Sequence, residues 1–83
     1  MYYSTDEFAG HLKVLGAQAD LQFRWCCLDN LLACFAAELS EIGGLDKKER
    51  EEPEVMKRAS TLRKMCVMVH EEKIKLVIAG FRL

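Results

Sequence analysis

From Thr5 to Ile42 the chain carries no proline, and its apolar residues recur at helical spacing. Val14, Leu21, Trp25, Leu28, Leu32, Phe35, Leu39 and Ile42 fall on steps of three and four, with Gln18 the single gap. A 3.5-residue repeat sustained over about four heptads is the pattern of a helix packed lengthwise on another. Ser4, Thr5 and Asp6 all suit an N-cap, and Glu7 suits the positive end of a helix. Gly10 and Gly16 weaken the first turns by about 1 kcal/mol each relative to alanine. Gly43 and Gly44 form a stop signal. The pattern predicts one long helix over about 5–42, a rod of roughly 57 Å at 1.5 Å per residue. Tyr2 and Tyr3 precede the cap and either staple the helix start or hang free.

A second stripe runs along the opposite side of the same predicted helix: Phe8, Leu12, Leu15, Ala19, Phe23, Cys26, Ala33 and Ala37. Asn30 interrupts it, and its second half is small. A surface helix has one apolar face, so a helix apolar on two faces is covered on both. The rest of the chain is long enough to cover one. These eight residues are therefore the expected partner interface.

Residues 43–53, GGLDKKEREEP, read as the connector. Asp46 with Glu49 looks like a capping box, and Pro53 fits the first turn of the next helix. From Glu54 the heptad spacing resumes at Val55, Ala59, Leu62, Cys66, Val69 and Leu76, with Lys73 the one break. Met65 and Val77 widen that stripe. The other side reads as polar: Lys57, Arg58, Ser60, Arg63, Lys64, Glu71, Glu72 and Lys75. The second helix is expected over about 53–79, with Gly80 just past its end. The β-branched run KIKLVIAGFRL leaves a short terminal strand as the alternative. The expected fold is all-α, an antiparallel two-helix hairpin in one domain spanning 1–83. Dimerisation, or insertion into a partner's groove, would complete it as a helical bundle.

Composition narrows the function classes. At 83 residues, 51% hydrophobic and 30% charged, the chain is too apolar for disorder and too short for two lobes around a cleft. Four cysteines without a C-x-x-C pair do not make a disulfide scaffold. The first residues show no basic n-region or apolar h-region, and no run approaches the roughly 18 apolar residues of a membrane span. The expected setting is cytoplasmic, without a membrane. Net charge is −1, but its distribution is uneven. Residues 1–42 hold six acids against two bases, and residues 54–83 hold seven bases against three acids. Halves of opposite sign favour lying against each other.

Little catalytic chemistry is visible. Cys66 and His70 are four apart and share a helix face, and Cys26 or Cys27 can be imagined completing a metal site. Cys66 also sits on the heptad stripe, where a free thiol packs as a small hydrophobe. No phosphate loop, dinucleotide fingerprint or nucleophile–base pair in a pocket is present, so no enzyme, cofactor or metal is expected. Lys57, Arg58, Arg63 and Lys64 are candidate anion contacts, which makes a small dimeric nucleic-acid-binding regulator the alternative. The favoured expectation is a protein–protein interaction module: an adaptor, co-chaperone or inhibitor. It would bury the second stripe of its first helix against itself or a larger partner, over roughly 1,200–2,000 Å² in all. In architecture the expected hairpin resembles the two-helix co-chaperones of type III secretion needle subunits and the small helical inhibitors carried by phages. That resemblance lies in architecture alone, no motif carries it, and a shared fold says little about function.

Overall fold

The computed structural model describes residues 4–82, so the tyrosine pair at the N-terminus lies outside the described residues. Among the described residues four helices form: α1 over Thr5–Gly16, α2 over Leu21–Gly43, α3 over Lys47–Arg50 and α4 over Pro53–Ile78. Among the described residues there is no strand, and KIKLVI continues α4.

The single long first helix does not form. Between Gly16 and Leu21 the chain leaves the helix, turns, and starts again. The amides of Ala17 and Gln18 bond back to Val14 and Leu15, three residues earlier, which tightens and ends the last turn of α1. Asp20 is extended (φ −80, ψ 107), and its carboxylate accepts the Phe23 amide at 3.1 Å. It is thus an N-cap for α2, equivalent to Ser4 for α1, whose hydroxyl accepts from Glu7 at 3.2 Å. The fold's longest dimension is 46 Å, shorter than the rod the unbroken pattern requires.

The turn folds α1 back along α2 and against α4. Phe8 reaches the middle of α2, where its ring meets Phe35 edge-on at 5.3 Å between centroids. Helix α4 runs antiparallel to α2, as the order of their contacts shows. Trp25 stacks on Phe81, Asp29 pairs with Lys73, and Glu38 pairs with Arg58. The acidic first half and the basic second half do meet within the chain. Phe8, Leu12 and Leu15 of α1, Leu28 and Phe35 of α2, and Leu62, Met65, Val69 and Leu76 of α4 form one buried core.

The connector is more ordered than a loop. The Asp46 carboxylate accepts the Glu49 amide at 2.8 Å and nucleates the one-turn α3. That hydrogen bond, with a further one from Lys48 and the nearby charge of Arg50, holds the Asp46 carboxyl below its ordinary pKa. Pro53 opens α4 in its first turn, where its missing amide costs nothing. The helix closes on Gly80, at φ 107, a conformation glycine adopts without strain. Gly80 donates to the Val77 carbonyl and Phe81 to that of Leu76, the paired bonds of a Schellman end. This end steers Phe81 back onto Trp25, 4.7 Å away between ring centroids.

Candidate interaction surface

The expected interface on the first helix divides in two. Phe8, Leu12 and Leu15 are buried inside the chain's own core and are not available to a partner. Their stripe belongs to α1 alone, and the turn at 17–20 points it inward. Ala19, Phe23, Cys26, Ala33 and Ala37 are exposed, but Phe23 is the one large apolar side chain among them. Val14, which the heptad pattern places inside, is 67% exposed for the same reason.

Unpartnered apolar surface concentrates instead on α4. Among the described residues seven large hydrophobic side chains stand in water, and five of them lie there: Met56, Val67, Ile74, Val77 and Ile78. On a helix turning 100° per residue, Met56, Val67, Ile74 and Ile78 fall within about 40° of one another. The buried residues Leu62, Met65, Val69 and Leu76 occupy the opposite side. So α4, expected to have one dry and one wet face, is the helix that is apolar on both. Ile78 is 80% exposed and Ile74 59%. Beside them Trp25, His70, Ile74, Val77 and Ile78 line a shallow depression of about 270 Å³. Lys73 bounds it, its ammonium 4.3 Å from the Trp25 ring and paired with Asp29.

The four candidate anion contacts do not share a face. Arg58 points into the α2–α4 seam, where its Nε and Nη2 lie 3.1 and 2.9 Å from one carboxylate oxygen of Glu38. Lys57 and Lys64 lie on one flank of the outer face, seven residues apart, and Arg63 lies on the other. No convergent cationic patch results.

Other hollows lie among the described residues. One of about 600 Å³ separates α1 from α4 and is edged by Lys13, Arg24, Glu71 and Glu72. A second, about 500 Å³, lies beside α2 between Leu31, Cys34, Ala37 and Arg58. The second also places the Cys34 thiol beside Glu38 and Glu41, and Glu38 is paired with Arg58. Among the described residues no three His, Cys, Asp or Glu side chains are placed to hold a metal, and His70 is exposed while Cys66 is half-buried. No described helix is long and apolar enough to cross a membrane.

The cysteines are four free thiols, Cys26 and Cys34 exposed, Cys27 and Cys66 half-buried. Burial pushes the Cys66 thiol up from its ordinary pKa, which lowers its thiolate fraction at neutral pH. Cys26 and Cys34 are therefore expected to react with iodoacetamide about tenfold faster than Cys66 or more. Peptide mapping of the native protein reads this directly. Equal rates at Cys34 and Cys66 would show that α4 is not packed as described.

Compared with known protein families, with characterised proteins and with solved structures, the chain matches none.

Proposed function

We propose that this chain is a small protein–protein interaction module that works by burying the outer face of α4 against a protein surface. The supporting observation is the exposed stripe of Val67, Ile74 and Ile78 on a helix whose opposite side already fills the core. Exposed apolar residues aligned along one face of a helix, as here at steps of four and seven, fit a contact surface. The helix is long, opens on Pro53 without a side-chain cap and closes in a glycine end, and its outer face lies opposite its buried residues. It is thus presented as a rigid ridge, the form in which one helix docks with another. Such a module acts as an adaptor, co-chaperone or inhibitor by occupancy, without chemistry. The setting proposed for it is reducing and cytoplasmic, where its four thiols stay free. The basic-face alternative lacks the converging cations that phosphate contact requires, because Glu38 engages Arg58.

The test is a double substitution, Ile74→Glu with Ile78→Glu, in a tagged chain expressed in its own cell. Both sites are exposed, so stability should change by no more than about 0.5 kcal/mol per site. The wild type is expected to co-purify with a stoichiometric protein, either another chain or a copy of itself. The variant is expected to lose it while remaining folded and fully helical by circular dichroism. Undiminished retention by the folded variant would remove this face as the interface.

A further inference from the structure

We propose that the occupant of this face is a second copy of the chain, with the two α4 helices antiparallel and Val67 at the two-fold axis. The inference rests on the interaction reading above and specifies its partner. It comes from a symmetry in the outer face itself. Steps of four, seven and eleven residues back from Val67 reach Arg63, Ser60 and Met56; the same steps forward reach Glu71, Ile74 and Ile78. All six lie on or beside one helix face, because each step is close to a whole number of turns. Rotating a second copy about Val67 therefore sets Met56 against Ile78, Ser60 against Ile74, and Arg63 against Glu71, each twice.

A two-fold contact must be self-complementary, with residue i meeting j and j meeting i. This face meets that condition in both shape and charge. The large side chains Met56 and Ile78 form the two outer layers. The small, half-buried Ser60 faces the branched Ile74 and leaves room for it. The charges carry the argument furthest. Arg63 and Glu71 are both exposed, and among the described residues neither makes an ion pair. Eight residues apart on one helix, they are roughly 12 Å apart along the axis and too distant to satisfy each other. Across the two-fold axis they stand at the same height, one on each flank, within reach of long side chains. A parallel arrangement would set Arg63 beside Arg63 and Glu71 beside Glu71, so the charges select the antiparallel one. All four apolar residues of the stripe are covered in this register.

The experiment is sedimentation equilibrium on the reduced, full-length chain, with helicity checked by circular dichroism. The wild type is expected to sediment at twice the chain mass. Val67→Lys is expected to be folded and monomeric, because it places two ammonium groups at the axis. Arg63→Glu or Glu71→Arg alone sets like charges opposite each other at two places, and should weaken the dimer about tenfold or more. The double variant, Arg63→Glu with Glu71→Arg, should restore wild-type affinity, because the reversed charges still meet. That rescue occurs only if both groups face another copy of the same chain. A wild type that stays monomeric overturns the proposal while leaving the wider interaction reading to the co-purification test. A dimer indifferent to Val67→Lys places the contact elsewhere and overturns it too. A dimer lost in both single variants and not recovered in the double excludes this register.

Discussion

Phe8→Ala is expected to lower the folding free energy by about 3–5 kcal/mol, as removal of a fully buried aromatic side chain does. Phe8 has no exposed surface, meets Phe35 edge-on and stacks beside His11 at 6.5 Å. It is the residue that docks the start of α1 onto α2. A domain of this size rarely holds more than a few kcal/mol in its core, so the loss should leave the variant largely unfolded or α1 detached. The control is Val14→Ala, six residues on. In a continuous helix Val14 would be core and Phe8 would lie on the flank kept for a partner. In this fold Val14 stands in water, and its loss should cost within about 0.5 kcal/mol. Urea titrations followed by circular dichroism measure both. A large effect at Val14 with a small one at Phe8 would restore the unbroken helix and refute the turn.

That pair of residues also shows why part of the fold was legible and part was not. Glycine marks the ends at Gly43 and Gly80, and heptad spacing identifies both helical regions and the facing of Leu28 and Phe35 toward Leu62 and Val69. These follow from local steps of three and four, which a folded helix preserves. Periodicity carries no information on whether two segments belong to one rod. The two stripes assigned to the first helix are one stripe on α1 and one on α2, brought to the same core by a turn of four residues. The signals for that turn were in the sequence: Gly16, the gap at Gln18, and Asp20 three residues before Phe23. Asp20 lies on neither stripe, so a cap there ends one helix and starts another without disturbing the spacing of either.

The candidate site was hidden for a different reason. Met56, Val67, Ile74 and Ile78 are spread over 23 residues and interleaved with Lys57, Arg63, Lys64, Glu71 and Lys75. Counted in sequence, that side of α4 is polar. In space the charges splay to the flanks, with Lys75 drawn toward Glu72, 3.0 Å away. The apolar residues are then left along the middle. Long charged side chains commonly border an apolar strip in this manner. Direction of packing decides which side of a helix is outside, and a pattern symmetric about the helix cannot supply it.

One substitution made at two neighbouring positions tests this division of α4. Met65 and Val67 are two residues and about 200° apart on the helix. Met65 has no exposed surface, whereas Val67 is 56% exposed. Met65→Lys forces an ammonium among Leu62, Val69 and Phe35 with no acceptor. Desolvation of that kind lowers a lysine pKa by up to 3–5 units, equivalent to roughly 4–7 kcal/mol against folding at neutral pH. Because the folded-state pKa is depressed, the penalty is complete below it. It shrinks as pH rises toward about 10.4, where lysine is neutral in both states. The variant is therefore expected to be unfolded at pH 7 by circular dichroism and to regain helix in alkali. Met65→Leu, close in volume, should cost less than about 1.5 kcal/mol. Val67→Lys places the same charge in water and should leave the helix content and melting of the single chain unchanged. An equal loss of structure at both positions would mean that α4 is buried on both sides within one chain. The apolar ridge, and with it any docking role for that face, would then not exist.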